Sequence, residues 1–188
     1  MNIYDFDGTL YDGDSTVDFF LFCLKRKPSL VRFLPEQAWG FLLHGLKRID
    51  RTRLKEYFFS FLKGVDGEAM LEPFWAGHRH KIFSWYPERH REDDLVISAS
   101  PEFLLAPICG ELGVGGLIAS RVNVRTGRFE GPNCKGEEKV RRLRARYDRA
   151  EVEEFYSDSK ADLPLAQLAT RAFLVEGGTI KNWEWNEV

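Results

Sequence analysis

Asp5-Phe6-Asp7-Gly8-Thr9 sets two carboxylates two residues apart, directly after the apolar pair Ile3-Tyr4. Side chains at i and i+2 of a strand point the same way, so a strand ending here directs both acids at one spot. Gly8 then lets the backbone turn sharply. One carboxylate can act as nucleophile or metal ligand, the other as general acid and base. Paired acids at a strand end are also common solvated turns, and it is the segments downstream that give this pair its weight.

Those segments need elements to bring them together. Residues 2–6 read as a first strand. From 15 to about 90 the pattern is helical. Ser15-Thr16-Val17-Asp18 resembles a capping box, with Asp14 or Ser15 as the cap, and the helix stops at Lys25-Arg26-Lys27-Pro28. A second helix is expected over about 35–49. Asp50 then caps a third that carries Leu54, Tyr57, Phe58, Phe61 and Leu62 and closes at Gly64. A fourth is expected over 68–85, weakened by Pro73. Beyond Asp94 short apolar runs alternate with helical stretches. Strands are expected over 95–98, 116–119, 154–156 and 172–175, helices over 101–112, 136–147 and 162–170, and a hairpin over 122–129. This alternation predicts an α/β fold, a doubly wound parallel sheet with an inserted helical cap. Ligands in such sheets bind outside the carboxyl ends of the strands. Asp5, Ser98 and Asp158 each fall at such an end, so residues 93 and 60 apart become neighbours.

Composition narrows the partners. The 188 residues are 44% hydrophobic and 14% aromatic, enough for a sizeable core, and the net charge is −2. That balance excludes a polycationic surface, and no nucleic-acid partner is expected. Residues 15–91 hold 14 Lys/Arg against 8 Asp/Glu, the rest 13 against 21, so a basic block adjoins acidic strand ends and suits an anionic substrate. Cys23, Cys109 and Cys134 are odd in number, widely spaced and without a Cys/His cluster, which reads as reduced thiols in a cytoplasmic protein with no zinc site. The first strand is read almost from Met1, so no signal peptide is expected. No run of about 18 uncharged apolar residues occurs, so no transmembrane segment is expected.

Four segments, Asp5-Phe6-Asp7-Gly8-Thr9, Ile97-Ser98-Ala99-Ser100, Cys134-Lys135-Gly136-Glu137-Glu138-Lys139 and Ser157-Asp158-Ser159-Lys160-Ala161-Asp162, resemble in type and order the motifs of the haloacid dehalogenase superfamily of phosphohydrolases. The helical insert after the first motif resembles subfamily IB, which includes phosphoserine phosphatase. The resemblance implies a core of residues 1–13 and 93–188 and a cap of 14–92. It implies Asp5 as the nucleophile that forms an aspartyl-phosphate and Asp7 as the acid, then base. Ser98 with Ala99, Gly8 and Thr9 would bind phosphate, and Lys139 or Lys135 would neutralise it, with Lys139 favoured. Asp5, Asp158 and the Asp7 carbonyl would hold Mg²⁺, and Asp162 would support the metal or the lysine. The chemistry agrees, because a carboxylate cannot approach an anionic phosphoryl group without cations beside it, and Mg²⁺ takes oxygen ligands of this kind. Without the metal the clustered carboxylates would repel one another and their pKa values would rise.

The resemblance implies a phosphomonoester substrate, either a small phosphoserine-like metabolite or a phospholipid headgroup phosphate. The Cys-x-Gly-x-x-Lys and Tyr-Ser-Asp-Ser-x-x-Asp segments are similar to bacterial phosphatidylglycerophosphatases of the superfamily. Those usually carry a long hydrophobic stretch in the cap, whereas Arg32, Glu36, His44, Lys47 and Arg48 interrupt it here. A basic, aromatic cap could still make peripheral contact with an anionic membrane. The alternatives are a binding or regulatory protein that has lost turnover, and a dehalogenase or phosphonate-cleaving enzyme. Asp7 argues against dehalogenation, and phosphonate cleavage generally requires a cap lysine. His78 and His80, two apart on a helix, do not share a face, and His44 and His90 read as surface or packed residues. Trp39, Trp75 and Trp85 are expected in the core, and Trp183 and Trp185 on the sheet edge or a partner chain. The oligomeric state is not legible.

Overall fold

The computed structural model describes residues 1–149 and 151–184. Trp185 lies outside them. The order along the chain is β1 (Asn2–Tyr4), α1 (Ser15–Arg26), α2 (Leu34–Gly45), α3 (Arg51–Phe58), α4 (Leu71–His78), α5 (Trp85–Arg89), β2 (Leu95–Pro101), α6 (Glu102–Glu111), β3 (Gly116–Ser120), α7 (Glu137–Arg146), β4 (Val152–Ser157), α8 (Leu163–Ala166), β5 (Ala169–Glu176) and β6 (Thr179–Asn182). The strands form one sheet in the order β3-β2-β1-β4-β5-β6. All neighbours are parallel except β5 and β6. β1 lies between β2 and β4, where the winding reverses, so its carboxyl end opens into the crevice that such sheets leave for a ligand.

Strand residues alternate between two apolar layers. Ile3, Leu95, Ile97 and Phe155 pack with Leu143 of α7 and Leu165 of α8. Tyr4, Val96 and Tyr156 face the other way, onto Phe19 of α1, Phe74 of α4, Tyr86 of α5 and Leu104 of α6. Tyr4, Tyr156 and Phe173 stack across three strands at 4.8 Å spacings. The helices inserted after β1 thus share one continuous core with the sheet. Trp75 ties the two together, donating its indole N–H to the Leu104 carbonyl at 2.8 Å.

Local structure departs from expectation where tertiary demands intervene. The helix expected over 68–85 is broken into α4 and short 3-10 turns at Glu68–Met70 and Arg79–Lys81. The helix expected over 162–170 shrinks to a 3-10 turn and four residues, because Ala169 must already pair with Val152. The 122–129 hairpin is reduced to a single bridge between Val122 and Phe129. β6, which was not expected, follows β5 through Gly177-Gly178, both at positive φ as a two-residue hairpin turn requires. Asp14, not Ser15, caps α1, accepting from Thr16 and Val17 N–H, and Asp50 caps α3 as expected. Trp75 is in the core, but Trp39 is 54% exposed. α2 turns Gln37 and Gly40 inward instead, which leaves Trp39 outside. Trp85 is half-buried on the Tyr156 ring, and Trp183 is buried beside Phe155.

Gly40 lets α2 approach α3. A Cβ there would lie 2.4 Å from Tyr57 Cβ. Gly40→Ala gains about 1 kcal/mol of helix propensity, but crowding of this kind costs about 1–3 kcal/mol. A net loss is expected, read as a lower urea midpoint at unchanged m-value.

Candidate active site

Asp5 leaves β1 but stays pinned to β4, its N–H donating to the Tyr156 carbonyl at 2.9 Å. Its Oδ1 accepts from Phe6 N–H at 2.8 Å and lies 3.1 Å from Lys139 Nζ. The chain then coils tightly, with Thr9, Leu10 and Tyr11 N–H all donating to the Phe6 carbonyl. Gly8 sits at φ +68°, where a Cβ would fall 2.3 Å from Asp158 Oδ2. Buried Thr9 accepts from Asp158 N–H through Oγ1 at 2.9 Å. The first motif thus seats the acidic turn that follows β4.

Lys139, in the first turn of α7, is buried. Its ammonium reaches Asp162 Oδ2 at 2.7 Å as well as Asp5, and Ser157 Oγ donates to the same Asp162 oxygen at 2.9 Å. Asp7 is held from a different side. Ser15 N–H donates to its Oδ1 at 2.7 Å, and Ser100 Oγ donates to its Oδ2. Thr16 Oγ1 lies 3.0 Å from Ser100 Oγ, so α1, from the insert, takes part in orienting Asp7. Ser98 lies at the register break of β2, beyond its last pairing with β1.

These groups open into one cavity of about 540 Å³, lined among others by Asp5, Asp7, Ser98, Ala99, Asp158 and Asp162, with Lys135 and Lys139. Burial pushes Asp5 up to about 7 against the pull of the Lys139 ammonium. Asp7 is pushed to about 6, again by burial first and then by the Asp14 carboxylate, with Ser100 and Ser15 opposing. Asp158 is raised by burial and by Asp162. The rise expected from mutual repulsion is therefore present, but desolvation is its larger cause. Burial opposes the charge on Lys139, yet Asp5 and Asp162 outweigh it and hold the ammonium above its ordinary pKa.

Gly8 and Thr9 depart from expectation. Neither lines the cavity, and the Gly8 N–H is already spent on the Tyr11 and Gly13 carbonyls. Their part is to position Asp158. Lys135 lies just ahead of α7 and lines the cavity, half-buried, while Lys139 holds the central place. His78 and His90 bond the Phe74 and Gly113 carbonyls. His44 bonds the Ile49 carbonyl and reaches the cavity wall. Sequence reasoning missed Ser100, Asn133 and Lys55. Lys55 comes from α3, with Nζ 2.8 Å from the Ala99 carbonyl and 3.1 Å from Asn133 Oδ1, and burial lowers its pKa. A signal was present, since Lys55 falls on the apolar stripe that includes Phe58 and Phe59.

The donors fit a hard divalent cation. Asp5 and Asp158 offer carboxylates to one cavity. Among the described residues the Asp7 carbonyl accepts no hydrogen bond, whereas the Phe6 carbonyl before it accepts three. Among those residues no group of three or more acidic, His or Cys side chains is disposed to hold a metal, so the candidate set is two carboxylates and a carbonyl.

Residues 3–167 match the family of haloacid dehalogenase-like hydrolases, and the chain belongs to it. It is 27% identical to Protein CicA of Caulobacter vibrioides over 191 residues, covering 88% of this chain and 81% of that one. It is 32% identical to a histidinol-phosphatase of Neisseria meningitidis over 96 residues, 45% of this chain and 43% of that one. A Bordetella pertussis protein of unknown function has the same fold (TM-score 0.74, 24% identity, 92% and 87% of the two chains). So does a probable phosphoserine phosphatase from Vibrio cholerae (TM-score 0.67, 14% identity, 91% and 55%).

Gly8→Ala is expected to displace the Asp158 carboxylate and reduce catalytic turnover by at least about tenfold, a cost of about 1.4 kcal/mol, in an otherwise folded protein as judged by circular dichroism. Lys139→Met leaves Asp5 and Asp162 buried without their cation. Breaking such a cluster costs about 3–5 kcal/mol, to be measured by urea unfolding at neutral pH.

Proposed function

We propose that this chain is a Mg²⁺-dependent phosphomonoesterase that works through an aspartyl-phosphate on Asp5, with residues 14–92 acting as a cap over the sheet end. The observation that carries this reading is the Lys139 ammonium, 3.1 Å from Asp5 in a cavity that also admits Asp7 and Asp158. Asp5 Oδ attacks phosphorus while Lys139, Ser98 and the Ala99 backbone hold the non-bridging oxygens. Asp7 protonates the leaving oxygen, then takes a proton from the water that opens the acyl phosphate. Its pKa near 6 suits a group that must both hold and release a proton near neutrality. Asp5, Asp158 and the Asp7 carbonyl would hold Mg²⁺, which when bound supplies the positive charge that lets a carboxylate meet an anionic phosphoryl group. Asp162 keeps Lys139 charged and directed. The phosphatase names among the similar proteins support the reaction class.

Lys55 supplies a cap lysine of the type that phosphonate cleavage requires. Its Nζ is engaged by Ala99 and Asn133, and Asp7 is built for leaving-group protonation, so the monoester is favoured. Lys55 then serves as a second cation for a substrate carrying negative charge beyond the phosphoryl group.

Hydrolysis of an aryl phosphate with Mg²⁺ tests the reading. Asp5→Asn is expected to abolish turnover, and Asp7→Asn to slow both chemical steps by about 10²–10⁴. Chelation with EDTA should stop the reaction and added Mg²⁺ restore it. An Asp5→Asn protein as active as the parent removes the nucleophile and the proposal with it.

A further inference from the structure

Soluble helices normally turn their polar residues outward. α2 does the reverse. From Leu34 to Leu46 every exposed position is apolar, namely Leu34, Trp39, Phe41, Leu42 and Leu46 with Pro, Ala and Gly between them. The polar residues Glu36, Gln37 and His44 are turned inward or half-buried. Trp39, Phe41, Leu42 and Leu46 are 52–60% exposed. The large exposed hydrophobics of the described residues all fall between Val17 and Leu46. Soluble monomers rarely leave such a patch uncovered without a use for it.

Charge says what covers it. Residues 25–53 hold 8 Lys/Arg against 2 Asp/Glu. Lys25, Arg26 and Lys27 precede the face, and Lys47, Arg48 and Arg51 follow it, all exposed. A second copy docking by two-fold symmetry would set this cationic margin against itself, whereas an anionic lipid surface complements it. α2 has 12 residues, about 18 Å, too short to cross a hydrocarbon layer of about 30 Å but suited to lie along its surface. Among the described residues no helix is long and apolar enough to span a membrane. The face also runs into the catalytic cavity, because exposed Val17 and Phe41 line it together with Arg51.

We infer that the outward face of α2 docks on an anionic bilayer and that the cavity takes its phosphomonoester from lipid headgroups at that surface; the second part rests on the phosphatase reading above. Docking brings the cavity mouth to headgroup level, and Arg51 and Lys55 then meet the phosphate as it enters.

The test uses the full chain, with co-sedimentation on phosphatidylcholine vesicles with and without phosphatidylglycerol. Binding is expected on the anionic vesicles and is weakened by salt. Lys47→Ser/Arg48→Ser should weaken it by about thirtyfold, and Trp39→Gln/Leu42→Gln by at least about tenfold. Neither double variant touches the cavity, so aryl phosphate turnover should stay at parent level while hydrolysis of phosphatidic acid in vesicles falls. A parent that hydrolyses aryl phosphate but stays in the supernatant with anionic vesicles overturns the docking. So does a concentration-dependent dimer that Trp39→Gln/Leu42→Gln disperses, since the face would then belong to a second copy. Binding with no hydrolysis of the lipid phosphate by an enzyme active on aryl phosphate overturns the second part. Vesicle binding by a protein inert toward aryl phosphate supports the docking and defeats the phosphatase reading instead.

Discussion

A buried ammonium between two carboxylates organises the sheet end. Lys139 reaches Asp5 from one side and Asp162 from the other, and almost nothing of it meets solvent. Burying charge is costly unless it is paired and hydrogen-bonded. The arrangement therefore holds only while β1, α7 and the turn after β4 stay in register. Burial, more than mutual repulsion, raises the proton affinities of Asp5, Asp7 and Asp158 even with this ammonium at hand.

The helical insert is part of the same construction. Phe19, Phe74 and Trp75 pack into the layer that also contains Tyr4 and Val96. Ser15 N–H and, through Ser100, Thr16 hold Asp7 from the first turn of α1, and Lys55 descends from α3. A side chain from the insert thus enters the cavity, and backbone from the insert orients a candidate catalytic acid. Gly40 permits the α2–α3 contact that lets the pair project as a unit. The price is an outer surface on α2 that water does not favour, and this surface lies beside the cavity mouth.

The acid pair, the hydroxyl segment of β2, the lysine pair and the late acidic turn could all be read from residue type and order. So could the alternation of strands and helices, because period-2 and period-3.6 patterns are local. That Lys139 rather than Lys135 meets Asp5 could not, since both stand near the start of one helix and only the docking of α7 on the sheet selects between them. The recruitment of Thr9 and Gly8 to seat Asp158 also depends on a contact between residues about 150 positions apart. Lys55 and Ser100 escaped notice because their partners, the Ala99 carbonyl and Asn133 side chain for the one and Asp7 and Thr16 for the other, are brought in from distant parts of the chain. Trp39 was misplaced for a related reason. Composition marks an indole as core material, but which face of a helix turns inward is decided by the partner helix, and here that partner demanded Gly40 and Gln37. Local sequence thus determined the elements and the chemical inventory of this protein. Tertiary structure decided which charges share a cavity and which apolar face is left to solvent, because both follow from distances that sequence separation does not encode.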